Sequence, residues 1–256
     1  MRLHSEIFMK EKKRLDKLVF EQHPDLSRTY IQSIIMQGKV LVNGQSCVKP
    51  GTMLASDAEL TITAKEPKYV SRAGLKLERA LDHFDINVNG LVALDSGIST
   101  GGFSDCLLQR GAKRVYGVDV GYGQVHEKVS SNPRLTLMER TNLRHLERLP
   151  ELVDLVTLDL SFISILKVMP AVSRLIKPDG KIILLIKPQF EAERHEIGRG
   201  GIVKSELVHE RVIEKIRLGM EEFGFVMDGI VDSPITGAKG NKEFLALFLH
   251  NGFVSK

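Results

Sequence analysis

The chain has no tryptophan, only two cysteines among 256 residues, and 6% aromatic residues. Two thiols, Cys47 and Cys106, cannot build a disulfide scaffold or a four-thiolate zinc site. They read as free thiols of a reducing cytoplasm, and no metal is expected. Long apolar runs are missing too. The cleanest, Ile182 to Ile186, falls far short of the ~20 residues that span a bilayer as a helix. The first twenty residues carry Lys10, Lys12, Lys13, Arg14 and Lys17 and no apolar stretch of the kind a secretory signal needs. These absences exclude a disulfide-rich secreted protein and a membrane-spanning one, so a cytoplasmic location without a membrane partner is expected. No internal repeat or low-complexity tract is present. The composition, 43% hydrophobic and 27% charged, is that of a globular protein, and the length allows one or two domains.

The net charge of +4 is unevenly placed: residues 1–65 hold ten Lys/Arg against seven acids. A mild basic excess suits a polyanionic partner. The same quarter has its own pattern. Arg14 to Val19 reads as a helix, and Ser27 caps a second helix over residues 27–37 with Tyr30, Ile31, Ile34 and Ile35 on one stripe. Gly38 stops it. Residues 39–42 form a strand, Asn43-Gly44 a tight hairpin turn, Lys49-Pro50-Gly51 a further turn and residues 60–63 a last strand. By pattern alone this is an RNA-binding module or a small α+β domain with solvated charges. The expected organisation is a domain over 1–65, a linker over 66–70 and a second domain over 71–256.

The wording of the first segment is more specific. Arg14-Leu15-Asp16, Ser27-Arg28, the run Gly38 to Gly44 and Lys49-Pro50-Gly51 resemble the S4 RNA-binding domain, with extra residues around His23-Pro24-Asp25. The resemblance implies binding to structured RNA, with Arg14, Arg28 and Lys39, and Arg72 beyond the linker, near phosphates. Such contacts supply affinity and salt dependence rather than sequence reading.

Beyond the linker, apolar strands alternate with helices. Strands are expected at 91–95, 114–119, 135–138, 153–159, 181–187, 225–231 and 243–248, and helices at 71–83, 103–109, 165–176 and 206–223. This is the pattern of a doubly wound, Rossmann-like α/β sheet. The first strand ends in Asp95-Ser96-Gly97-Ile98-Ser99-Thr100-Gly101-Gly102-Phe103. The glycine spacing does not fit the G-x-G-x-x-G of dinucleotide sites. An acid opens the turn and a second acid, Asp119, ends the next strand, where a carboxylate holds ribose hydroxyls. Acid, glycine-rich turn, acid is the signature of an S-adenosylmethionine (SAM) site. The bland alternative is a plain turn with a solvated aspartate.

Four charged residues converge on the edge where ligands bind in such sheets. Asp159 and Lys187 close two strands, and Glu243 opens the last one, which reaches the same edge if it runs antiparallel. Lys76, in the helix before the first strand, joins them if that helix packs beside the site. Lysine is rarely buried unpaired, although a strand-end lysine can also snorkel to water. The residues just after the fourth strand narrow the chemistry. Amino-group methylases carry Asn/Asp-Pro-Pro-aromatic there, whereas this chain has Asp159-Leu160-Ser161-Phe162. The cysteines stand elsewhere, which removes carbon-5 pyrimidine methylation. Two lysines and two acids remain. A lysine of lowered pKa can orient a ribose hydroxyl and take its proton, with a neighbouring cation and acids tuning the balance.

Tyr69 to Leu77, Gly101 to Leu108, Asp159 to Ser164, Lys187 to Glu191 and Gly240 to Phe244 together resemble the TlyA family, S4-linked FtsJ-like ribosomal RNA 2′-O-methyltransferases also known as hemolysins. The resemblance implies SAM-dependent methylation of cytidine ribose in ribosomal RNA, free or within ribosomal subunits. It maps a Lys-Asp-Lys-Glu tetrad onto Lys76, Asp159, Lys187 and Glu243. Lys187 would address the 2′-hydroxyl, Lys76 would be its electrostatic partner, and the two acids would orient them. The SAM site would draw on Asp95, Gly97, Ser99, Thr100, Gly101, Gly102 and Phe103, on Asp119 and Val120, on Thr141 and Asn142, and on Asp159. Ser96 stands where an apolar residue is commoner in such turns. The linker Pro67 to Val70 would respond to SAM or RNA. The segment Gly198 to Gly201, with Arg194 and Arg199, reads either as a loop able to close over RNA or as a mobile surface loop. Rival readings are a membrane-active hemolysin, a non-catalytic RNA-binding protein and a pseudouridine synthase. The strands are too short for the first, the intact tetrad argues against the second, and the Asp95 turn against the third.

Overall fold

A computed structural model describes residues 11–64 and 67–251. Residues 1–10, 65–66 and 252–256 lie outside it, among them Lys10 and the first expected linker residue, Glu66. The chain divides into two compact units, Met1–Glu66 and Pro67–Lys256.

The first unit is built as β1 (Lys12–Arg14), α1 (Leu15–Gln22), α2 (Arg28–Met36), β2 (Val40–Val42), β3 (Gln45–Ser46), β4 (Met53–Ala55) and β5 (Leu60–Ile62). The Ser27 hydroxyl caps α2 by accepting from the Tyr30 N–H at 3.2 Å. Asn43 and Gly44 both take positive φ, 49° and 79°, as a two-residue hairpin turn demands. Leu15, Val19, Ile31, Ile34, Ile35 and Val40 form the core. β2 lies between β3 and β5, and β1 pairs with β4. β1, three charged residues long, escaped the apolar pattern.

The second unit runs α3 (Ala73–His83), β6 (Val92–Ser96), α4 (Gly102–Gln109), β7 (Arg114–Val118), α5 (Glu127–Ser130), β8 (Leu135–Met138), β9 (Val153–Leu158), α6 (Met169–Leu175), β10 (Ile176–Ile186), α7 (Pro188–Glu191), α8 (Glu206–Glu221), β11 (Phe225–Asp232) and β12 (Phe244–His250). Its seven-stranded sheet has the order β11-β12-β10-β9-β6-β7-β8. β6 to β10 are mutually parallel and β12 is antiparallel to both its neighbours. The central strands are mostly apolar because both faces are covered. Leu94, Val156 and Leu184 enter one core cluster, and their neighbours Ala93, Leu155 and Ile183 the other. Strand order reverses between β6 and β9, which makes the ends of those strands the switch point where ligands bind.

Two expected features change. The helix over 165–176 is a 3-10 turn, Ile165–Lys167, followed by α6 with Pro170 in its first turn. β10 begins at Ile176, and its register against β9 shifts between Ile176 and Lys181, across Pro178-Asp179-Gly180. The end of the expected linker is also packed rather than free. Tyr69 is buried in the second cluster, and the Val70 N–H donates to Asp105 Oδ2 at 2.8 Å. Tyr69 lies so close to α3 that a Cβ on Gly74 would stand 2.4 Å from its ring. Gly74→Ala should therefore overpack this contact and cost about 1–3 kcal/mol. For a unit of this size that is a fall in Tm of roughly 2–12 °C, measurable by scanning calorimetry.

Candidate active site

The turn after β6 is shaped by close approach. Gly97 has φ +84°, and a Cβ there would lie 2.4 Å from the Asp159 carbonyl oxygen. Only glycine allows the turn to lie on the end of β9 in this way. Gly101, φ +95°, precedes α4, and a Cβ on Gly102 would meet Ser71 Oγ at 2.3 Å. Ser99 adopts φ +49° and presents its N–H to Asp119 Oδ2 at 2.8 Å. Asp119 Oδ1 accepts from the Gly121 N–H at 2.7 Å. The half-buried carboxylate thus fixes two loops and, with about four acceptor positions, keeps capacity for hydroxyl groups.

Asp95, expected among the SAM-binding residues, points its carboxylate inward. It is fully buried, with Oδ2 accepting from Ser104 Oγ at 2.7 Å and Oδ1 from Thr157 Oγ1 at 3.0 Å. It ties β6 to α4 and β9. Burial pushes its carboxyl up to about 6 against those hydrogen bonds. Phe103 likewise turns its ring into the core, and Gly102 faces Ser71 at the start of α3, so both shape the turn from behind. Ser99, Thr100 and Val120 are exposed. The Thr141 N–H donates to the Asp119 carbonyl at 2.8 Å. The Asn142 side chain caps the turn Leu143–His145 by accepting from the Arg144 N–H.

The four charged residues meet in two pairs. Lys187 Nζ lies 2.6 Å from Asp159 Oδ1, and Lys76 Nζ lies 2.5 Å from Glu243 Oε2. Both lysines and Glu243 are buried, so each ammonium has the carboxylate that burial requires. Strand register explains the arrangement. Asp159 follows β9 and its N–H donates to the Ser96 carbonyl. Lys187 follows Ile186, which pairs with Phe244, the neighbour of Glu243. α3 packs beside β12 and brings in Lys76. A Cβ on Gly237 would lie 1.9 Å from Glu243 Oε1, so the loop before β12 closes directly on that carboxylate.

Further residues stand here that sequence patterns did not single out. Ser161 Oγ accepts from Lys187 Nζ at 2.9 Å. Phe162 has φ +64° and is 90% exposed, its ring 4.9 Å from that of Phe190. Buried Glu191 accepts from the Ile165 N–H at 2.7 Å through Oε1. The only signal for Ser161 and Phe162 was their place after Asp159. The segment Gly198 to Gly201 is held by its neighbours: Asn241 Nδ2 donates to the Gly201 carbonyl, the Val203 N–H to Asn241 Oδ1, and Lys239 Nζ to the Gly200 carbonyl.

In the first unit Arg14 is chelated by Asp16 at 2.9 and 2.7 Å, and the Arg28 guanidinium stands 5.3 Å from the Phe20 ring centroid. With Lys17 and Gln32 these residues line a cleft of about 590 Å³ on α1 and α2. Lys39 is exposed outside that lining, and Arg72, at the start of α3 in the second unit, is exposed as well.

The FtsJ-like methyltransferase family matches residues 69–249, and the S4 domain matches residues 13–60. The 16S/23S rRNA (cytidine-2′-O)-methyltransferase TlyA of Mycobacterium tuberculosis is 39% identical over 239 residues, covering 92% of this chain and 89% of its own. The chain belongs to the TlyA family of FtsJ-like methyltransferases. A Bacillus subtilis relative, provisionally named rRNA methyltransferase YqxC, is 41% identical over 246 residues, covering 94% of this chain and 86% of its own. A solved structure from Streptococcus thermophilus, provisionally named a hemolysin, has a TM-score of 0.75 at 39% identity, covering 93% of this chain and 88% of that one. In this TlyA-family chain the glycine turn and the two ion pairs stand on one edge of one sheet, on either side of the β6–β9 reversal.

Asp95 gives the site a pH signature. An aspartate that ionises near 3.8 when unfolded and near 6 when folded binds its proton more tightly in the folded chain. Its contribution favours the fold below the lower value and is lost as pH rises through about 6. Asp95→Asn should remove this component. The fall in Tm between about pH 4 and pH 7 should then be smaller in the variant than in the wild type, by a stability difference on the order of 3 kcal/mol. Scanning calorimetry of both proteins checks it.

Proposed function

We propose that this chain uses SAM to methylate the ribose 2′-hydroxyl of cytidine in ribosomal RNA. The observation that carries the reading is the pair of buried lysine–carboxylate contacts, Lys187–Asp159 and Lys76–Glu243, at the switch-point edge of an FtsJ-like sheet. A 2′-hydroxyl is a weak nucleophile, and Lys187, once it has given up its own proton, is a group that can take the hydroxyl's. The TlyA relative at 39% identity is named for that reaction on 16S and 23S rRNA, and the S4 match over residues 13–60 supports an RNA substrate.

The turn fits SAM in its chemistry. Gly97 and Gly101 let the turn pack against Asp159 and Val129 without a side chain between, Ser99 and Thr100 are exposed, and Asp119 has acceptor capacity for ribose hydroxyls. Val120, 71% exposed, and Thr141 would flank the adenine. SAM held there would supply an electrophilic methyl group for the attacking oxygen. The protein's part is positioning and charge. Lys187 accepts the hydroxyl proton at Nζ, Asp159 holds that amine, and Lys76 sets a positive charge against the negative charge developing on the oxygen. Glu243 orients Lys76. Phe162, standing out from the loop beside Lys187, offers a ring face to a nucleobase.

A structural relative carries the name of a hemolysin; among the described residues no helix is long and apolar enough to cross a membrane.

The deciding experiment is methyl transfer from labelled SAM to unmethylated small and large ribosomal subunits, with alkaline-cleavage mapping. A new alkali-resistant cytidine is expected, and Lys187→Ala should reduce its formation about 10²- to 10⁴-fold. No transfer to either subunit or to their naked RNA, with SAM still bound, would sink the ribosomal assignment. In the same assay Phe162→Ala should weaken the apparent RNA affinity roughly 5- to 150-fold, the worth of one base stack, with SAM affinity unchanged by equilibrium dialysis.

A further inference from the structure

Lys187 Nζ has two close polar neighbours, Asp159 Oδ1 at 2.6 Å as an ion pair and Ser161 Oγ at 2.9 Å as a hydrogen bond. An amine about to accept a proton is neutral, with two N–H bonds and one lone pair. Ser161 Oγ takes one N–H as a hydrogen bond, whereas Asp159 Oδ1 is at ion-pair distance without accepting one, so Ser161 sets the rotation of the amine about its Cε–Nζ bond. Without the Ser161 hydrogen bond the amine can turn about that bond, and its lone pair sweeps a cone.

We infer that Ser161 is a positioning residue for the reaction: its Oγ holds an N–H of Lys187 and so aims the lone pair at the ribose hydroxyl. The inference rests on the reading of Lys187 as the proton acceptor. When that hydroxyl is methylated, its O–H bond breaks and an N–H bond forms on Lys187, while Ser161 keeps its own proton throughout.

The loop that carries Ser161 is held at both ends. At its start the Asp159 N–H donates to the Ser96 carbonyl at 3.0 Å, and the Asp159 carbonyl lies against Gly97. At its far end the Ile165 N–H donates to Glu191 Oε1 at 2.7 Å. Glu191 is 4% exposed, and its own carbonyl accepts from Lys215 Nζ of α8 at 2.8 Å. Glu191 belongs to α7, which begins one residue after Lys187. The donor and acceptor of the 2.9 Å contact therefore sit on two segments that are tied to each other. Between the tethers Phe162 takes its positive φ, which brings the chain round while Ser161 stays against the amine. Ser161 is exposed at the edge of the site, so substitution there removes the acceptor without opening the core.

The test is steady-state kinetics of the full chain on unmethylated ribosomal subunits with SAM, comparing Ser161→Ala, Ser161→Thr, Lys187→Ala and the double variant Ser161→Ala/Lys187→Ala. Ser161→Ala should lower kcat about 2- to 10-fold, the range of one hydrogen bond between uncharged groups, with KM for the subunits and SAM affinity close to wild type. Ser161→Thr, which keeps an Oγ, should recover most of the loss. The double variant should be no slower than Lys187→Ala alone, because a residue that acts only through the amine has nothing left to orient. Wild-type kcat in Ser161→Ala, a raised KM at unchanged kcat, or a further loss in the double variant overturns the inference and leaves the role of Lys187 standing. Undiminished transfer by Lys187→Ala overturns both together.

Discussion

A lysine ammonium cannot be enclosed at the end of a buried sheet without a carboxylate beside it, and this fold encloses two. Much of the second unit can be understood from that requirement. Asp159 must end β9 and Lys187 must end the neighbouring β10 for the first pair to form. The second pair requires that β12 run antiparallel, so that Glu243, at its start, reaches the edge where the parallel strands end. It also requires α3 to lie along β12 and deliver Lys76. The packing of α3 is close: Gly74 accommodates the Tyr69 ring, and Gly102 accommodates Ser71.

The glycine turn and the ion pairs share a wall. Gly97 lies on the carbonyl of Asp159, while the side chain of Asp159 holds Lys187. Asp95 locks the same corner from inside through Ser104 and Thr157. A displacement of the turn therefore moves the residue that holds the amine, and a ligand ordering one would order the other. This coupling comes from direct contact across the β6–β9 reversal and needs no moving part between them.

What the sequence discloses and what it withholds divide along physical lines. The strands of the large sheet were legible because burial on both faces leaves uninterrupted apolar runs, and Lys187 stood out as a charge closing one of them. The pairing of Lys76 with Glu243 was not legible from spacing, since 167 residues separate them; topology and resemblance brought both to one edge without pairing them. Asp95 was legible as important but not in its direction, because a carboxylate facing inward to two hydroxyls and one facing a ligand look alike in sequence. Ser161 and Phe162 stand in a recognisable neighbourhood, but the contact of one and the exposure of the other depend on a backbone conformation that phenylalanine rarely adopts. The helix expected over 165–176 broke where Pro170 favours a first turn over an interior position. β1 and β4 were too short to show a period.

The position of β12 has a consequence for how the protein is made. The last strand in sequence is inserted between β10 and β11, which are both made before it. Until residues 243–250 have been synthesised, β10 and β11 have no common partner, and Lys76, produced early, has no counter-charge. A copy halted before that point has half of the tetrad's pairing and an open seam through its sheet. The fold thus withholds a finished site from unfinished chains, a kind of quality control written into strand order.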